Sequence, residues 1–145
     1  MTLAVTAADM LEVMDSDDLT RLDPAGTRLP ARFKAGVNDI FSIVGRRYAV
    51  PTVLPATGGF RQAVLQATRY HLYPPDQLTL PSAGFTNPKH PVVYDYERAI
   101  ADANAVLNFE KEWPELVDAP GPEEGAWGSE KPVFYDPTDP SLVGD

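Results

Sequence analysis

The sequence predicts a mainly α protein: a small four-helix bundle followed by an extended C-terminal arm. Two observations lead to the bundle. Apolar residues recur at helical spacing over several stretches, and prolines close those stretches. A third leads to the arm, because from Pro114 onward the chain turns acidic and rich in proline and glycine. A chain of 145 residues is the size of one domain with one core, and 43% apolar against 23% charged residues is the balance of a globular protein. We therefore divide it into a helical domain, residues 1–113, and an arm, residues 114–145.

The first helix is expected from about Ala7 to Met14. Thr6 is the candidate N-cap, Asp9 lies in the first turn, and Ala7, Met10, Leu11 and Met14 share a face. The run Asp15-Ser16-Asp17-Asp18 interrupts it, since short polar side chains compete for backbone hydrogen bonds. Ser16 or Asp17 can cap a further turn through Leu19 and Leu22. The second helix follows Pro30, with Phe33, Val37, Ile40, Phe41, Val44 and Tyr48 in one stripe, and Pro51 closes the segment. The third runs from about Phe60 to Tyr73 on Phe60, Val64, Ala67, Thr68, His71 and Leu72, and Pro74-Pro75 stops it. The segment from Pro74 to Pro91 holds five prolines and is too long for a simple turn, so it either drapes over the body or serves a partner. The fourth helix is expected from about Val92 to Glu112, on Val93, Tyr96, Ile100, Ala103 and Leu107, ending before Pro114.

Charge divides as composition does. The net charge is −9, and residues 114–145 carry eight acids against one base while residues 1–113 carry 13 acids and 11 bases. Such a balance argues against binding to a phosphate backbone, which draws its affinity from lysine and arginine. Six prolines, four glycines and eight acids leave the arm too few apolar groups to offset the entropy of ordering it alone. Trp127 and the run Pro132-Val133-Phe134-Tyr135-Asp136 are nevertheless poor choices for a purely solvating tail. Trp127, Val133, Phe134 and Tyr135 are the candidate partner-binding residues of the arm. It either folds back on its own body or extends to another chain, with the aromatics as anchors and strand addition along residues 132–135.

Signals of catalysis, cofactor or metal binding are lacking. The chain has no cysteine, which removes disulfides, thiolate zinc sites and cysteine nucleophiles. His71 is read as a core or edge histidine with a satisfied ring nitrogen, and His90 as a loop residue. Asp15, Asp17 and Asp18 lack the glycine and terminal glutamate of a calcium loop. Gly58-Gly59 is followed by no phosphate-loop lysine, and no serine lies in a nucleophile elbow. No apolar run approaches the about 18 residues that a membrane span needs, and the opening residues lack the pattern of a signal peptide. The expectation is a protein that is not an enzyme, takes no cofactor or metal, and meets no membrane. The one basic-aromatic cluster of the body, Arg46, Arg47 and Tyr48 with Arg69 and Tyr70, supplies the candidate inter-subunit interface. Its plainer reading is that these arginines lie along the bundle and pair with acids such as Asp39 or Glu97.

The segment Arg46-Arg47-Tyr48-Ala49-Val50-Pro51 resembles the R-Y-x-x-P signature of a Mu-like phage family associated with the head-tail junction. Ala67-Thr68-Arg69-Tyr70-His71-Leu72-Tyr73, Tyr94-Asp95-Tyr96-Glu97-Arg98-Ala99-Ile100 and the opening Val5-Thr6-Ala7-Ala8-Asp9-Met10-Leu11 are similar to further stretches of that family. The resemblance covers about residues 5–112; the loop of residues 76–91 is longer than is usual in the family, and the arm is an addition to its pattern. The resemblance implies a structural virion protein, a head-tail connector or adaptor. It implies a homo-oligomeric ring of neighbouring copies, commonly twelve, bound below the portal protein and offering a surface to the adjoining neck or tail-terminator protein. DNA would pass through that ring without specific binding. The protein would reside in the virion, and in the host cytoplasm during assembly. The competing expectation is an acidic phage-encoded binding protein or DNA mimic that occupies a host factor, with its acids spread over the folded body.

Overall fold

Thr6 and Asp9 cap one another at the start of the first helix. In the computed structural model, which describes residues 3–79 and 89–119, the Thr6 backbone N–H donates to Asp9 Oδ2 at 2.8 Å and the Asp9 N–H donates to the Thr6 hydroxyl at 3.3 Å. The helix they open, α1 (Ala7–Met10), lasts one turn rather than running to Met14. Turns through residues 11–14 then carry Glu12 to Arg61 while keeping Met10 and Met14 buried. A second short helix, α2 (Ser16–Leu22), buries Leu19 and Leu22. Asp23 ends it and accepts from the backbone N–H groups of Arg28 and Leu29 at 3.0 and 2.9 Å, tying α2 to the start of the next helix.

Three longer helices make the body: α3 (Leu29–Val44), α4 (Gly59–Leu72) and α5 (Pro91–Leu107), each packed on the other two. Helices make up 57% of the described residues and there is no strand among them, so the mainly α class holds. Helix α3 crosses α4 at Gly36, where a Cβ would lie 2.8 Å from Thr68 Oγ1 and 2.9 Å from its backbone nitrogen. Only hydrogen fits there. Thr68 is fully buried and satisfies its hydroxyl on the Val64 carbonyl at 2.8 Å, one turn earlier in α4.

Two apolar clusters share α4. One joins Phe33, Ile40 and Val44 of α3 to Phe60 and Val64 of α4 and Ala103 and Val106 of α5, and it includes Tyr48, Trp113 and Leu116. The other gathers Met10, Met14, Leu19 and Leu22 around Leu65, Leu72, Tyr73 and Val92. A 3-10 turn at Pro75–Leu78 opens the long connection to α5, and Gln77 in it accepts from Arg21 of α2 at 2.8 Å.

Helix α5 departs twice from the sequence expectation. It buries Val92, Ala99, Ala103 and Val106, a face rotated from the expected one, because two alanines let it approach α3 and α4 closely while Tyr96 stays at the edge. It also ends at Leu107, not Glu112. There Phe109 takes a left-handed φ of 64°. Its N–H donates to the Val106 carbonyl at 3.1 Å and that of Glu110 to the Ala105 carbonyl at 2.8 Å, the paired bonds of a Schellman motif. Glycine ordinarily marks such a stop, and phenylalanine hides it.

The chain then returns across the body. Trp113 and Leu116 are buried, so residues 114–119, assigned from sequence to the arm, lie on the domain instead. Their apolar content is small. What orders them is a surface of their own chain, supplied by Phe60 and Tyr48. The remainder of the expected arm, with Trp127, Val133, Phe134 and Tyr135, lies outside the described residues.

Candidate interaction surface

The geometry is organised around the segment that carries the resemblance. Helix α3 ends at Val44, whose carbonyl accepts from the N–H groups of Arg47 and Tyr48 at 2.9 and 3.0 Å, and the chain then extends through Ala49 to Pro51. Tyr48 faces Asp118 in an antiparallel bridge. On either side of it the Ala49 N–H donates to the Val117 carbonyl at 2.8 Å and the Ala119 N–H to the Arg47 carbonyl at 2.9 Å. This short pairing holds residues 117–119 against the chain that follows α3.

Arg47 braces the same region from its side chain. Its guanidinium donates to both carboxylate oxygens of Glu112 at 2.7 Å and to the carbonyls of Val106 and Lys111. It also lies over the Phe109 ring at 4.1 Å and the Tyr48 ring at 5.0 Å. The arginine thus adds a second donor to the Val106 carbonyl, which already accepts from Phe109, and supplies one to the Lys111 carbonyl beyond α5. The hydrogen bonds from Arg47 hold the Glu112 carboxyl below its ordinary value against the opposing effect of desolvation. The Tyr48 hydroxyl donates to Glu112 at 3.3 Å and sits 3.5 Å from the Trp113 backbone nitrogen.

Arg69 and Tyr70 perform the matching task between α4 and α5. Arg69 reaches Asp95 at 3.1 Å and Gln66 at 3.3 Å. Tyr70 stacks on Tyr96 with ring centroids 3.9 Å apart. The Tyr96 hydroxyl donates to Asp39 of α3 at 2.9 Å, and the same carboxylate oxygen lies 2.7 Å from His71 Nε2. Burial, and then the bond to Asp39, push the Tyr96 hydroxyl up to about 12. His71 is therefore an edge histidine with a partnered ring nitrogen.

Four of the five candidate interface residues are thus occupied inside the subunit. Tyr48 is only 3% exposed, and Arg47, Arg69 and Tyr70 are committed to neighbours of their own chain. Arg46 alone of the five is fully at the surface, where with Leu107, Phe109, Asp118 and Ala119 it lines a shallow cleft at the root of the C-terminal segment. The arginine partners also differ from those expected. Asp39 serves His71 and Tyr96, and Glu97 pairs with Lys89. Sequence reasoning had Arg46-Arg47-Tyr48 as one unit, but on a turning backbone neighbouring side chains point to different surroundings.

Two further anchors escaped the sequence reading. Arg61, in the first turn of α4, is 6% exposed and donates to Asp9, to both oxygens of Glu12 and to the Pro55 carbonyl. Burial alone would raise the Asp9 carboxyl, but its bonds to Arg61 and Thr6 outweigh that and hold it below its ordinary value. Glu12 is lowered too, chiefly by the same arginine. Glu115 is the second: its carboxylate accepts the Phe60 N–H at 2.7 Å, capping the N-terminus of α4, where negative charge is favoured. A carboxylate 55 residues away in sequence carries no capping signal.

A larger cleft is bordered by Val50 and Pro51, further along the same segment. It has a volume of about 640 Å³ and is lined by Val5, Phe33, Val37, Val50 and Pro51, with Lys34 as its charged residue. Among the described residues no group of three or more His, Asp or Glu is placed to hold a metal, and no helix is long and apolar enough to cross a membrane. No protein-family model, curated protein or solved structure matches the chain.

Proposed function

We propose that the protein is a structural head-tail connector of a tailed phage: a helical adaptor that assembles as a ring of copies under the portal protein and fastens to its neighbours through the C-terminal arm. One observation carries the reading. The segment Arg46–Pro51, which bears the resemblance to Mu-like head-tail joining proteins, is also the segment that grips residues 117–119 and so roots the acidic sequence that follows. A closed body with an appended, aromatic-bearing acidic segment suits a part whose task is to hold other parts together. Many arms presented by one ring act jointly, which turns weak single contacts into firm attachment.

Charge supports the same reading. The body is close to neutral, so copies can pack side by side without strong mutual repulsion, whereas acids in the arm or along the channel repel DNA and let it pass. A DNA mimic would need its acids spread over the body, and here Asp9, Glu12, Glu112 and Asp95 are already paired with arginines.

The test is electron microscopy of the purified chain mixed with its cognate portal protein, with and without residues 120–145. The connector reading expects coaxial rings with the full chain and their loss, or a marked fall in occupancy, with the shortened one. Removing residues from 120 onward leaves Glu115, Leu116 and the Tyr48–Asp118 bridge in place, so the shortened chain should still fold and unfold in one cooperative transition. A full chain that forms no ring with the portal protein, and instead binds a basic host protein as a monomer or dimer, would overturn it.

A further inference from the structure

We infer that the apolar cleft formed by Val5, Phe33, Val37, Val50 and Pro51 is the seat of this chain's own Pro132–Asp136 segment in the free subunit. The proposal rests on the connector reading in one respect, that the arm exists to be handed to a partner. Its own content is where the arm rests beforehand.

Chemistry selects the occupant. The cleft presents aliphatic and aromatic surface with one cation, Lys34, and Val50 is 57% exposed on its wall. The segment offers Val133, Phe134 and Tyr135 between Pro132 and Asp136, with Lys131 before it and acids at Glu130, Asp136 and Asp139, so residues 129–139 are net acidic. Apolar side chains would enter while an acid meets Lys34. An extended segment flanked by proline suits a cleft because little conformational freedom is left to lose.

Geometry supplies the reach. Ala119 is hydrogen-bonded to the Arg47 carbonyl, and Arg47 is three residues from Val50, a separation of at most about 11 Å along the chain. Residues 120–132 follow, and a chain of that length has a root-mean-square span of about 20 Å and a limit of about 45 Å. A tether of matched length gives an effective concentration on the order of millimolar. That exceeds micromolar protein by about a thousandfold, so a subunit's own segment outcompetes a second copy's until copies are held side by side. Ring assembly then makes exchange to a neighbour's cleft cheap.

The experiment uses a fluorescently labelled peptide of residues 129–139 and measures its anisotropy against four full-length proteins. The unaltered chain should bind it at least about tenfold more weakly than a chain carrying Phe134→Ser and Tyr135→Ser, whose own cleft is vacated. Adding Val50→Asp to the latter should weaken binding by about tenfold again, since a carboxylate in the apolar wall must be desolvated. Val53→Asp, exposed but outside the cleft, should leave it unchanged. No binding to the vacated chain, equal binding to vacated and unaltered chains, or indifference to Val50→Asp would each overturn the proposal. So would concentration-dependent self-association of the unaltered chain that Phe134→Ser abolishes, because the segment then belongs to a second copy. These readouts need no portal protein, so their failure is separate from a failure to form rings.

Discussion

Two short straps, one from each side of the sequence, converge on the first turn of α4 and differ in what fastens them there. Residues 3–14 bury Met10 and Met14, but at that turn they are held by charge: Arg61 projects from α4 and collects the carboxylates of Asp9 and Glu12. Residues 113–119 are held by packing and backbone: Trp113 lies edge-on to Phe60 with ring centroids 5.8 Å apart, Leu116 is buried, and Glu115 caps the helix. The difference matters for tolerance. Packing loses energy in proportion to the atoms removed, whereas a buried cation stripped of its partners, or partners stripped of their cation, costs more than the pair contributed.

The largest expected effect is on the packed strap. Trp113→Ala should destabilise the chain by about 3–5 kcal/mol in urea unfolding, by leaving a cavity against Phe60 and Gly59. A loss under about 1 kcal/mol would show that the strap is dispensable to the core.

Removal of the cation comes next. Arg61→Ala should cost about 2–3 kcal/mol, less than a deeply buried pair because Glu12 is partly exposed. The same variant sharpens the contrast through pH. Asp9 and Glu12 have folded values below their ordinary 3.8 and 4.5, so the stability they add is present above those values and lost as pH falls through the lowered ones. Unfolding free energy of the unaltered chain should therefore drop as pH falls below about 4. In Arg61→Ala that slope should be shallower.

Gly58 separates the straps at the head of α4. Its φ of 110° and ψ of 170° lie in a region that only glycine readily adopts, and a Cβ there would meet the Glu115 carboxylate at 2.5 Å. Gly58→Ala should cost about 1–3 kcal/mol in thermal unfolding. The smallest effect is expected for Glu115→Gln, which keeps an acceptor for the Phe60 N–H but removes negative charge from the helix N-terminus, for about 0.3–1 kcal/mol. A change as large as that of Trp113→Ala would mean that the second strap, too, is held by charge.

Local signals were legible in sequence wherever the partner was near. Thr6 as a cap, the stop at Pro74-Pro75, and the α3 stripe through Phe33, Ile40 and Val44 all follow from residues within a few positions of one another. The stripe of α5 was misplaced because Ala99 and Ala103 are weak hydrophobic signals, and what buries them is the close approach of two other helices. The stop at Phe109 was missed because the left-handed position carries no glycine. Arg47 and Tyr48 stood in the sequence as candidates for an interface between subunits, whereas within the subunit they meet Glu112 and Trp113, partners over 60 residues away that no local pattern indicates.

The sequence by itself determined the helical class, the starts of the longer helices and the acidic character of the C-terminal stretch, because periodicity, proline geometry and composition are local properties. Only the tertiary structure decided which charges are spent within the subunit, where residues 117–119 are gripped and which apolar side chains line one cleft. Those outcomes depend on side chains brought together from distant positions, and a linear pattern does not encode which of several acids an arginine will meet.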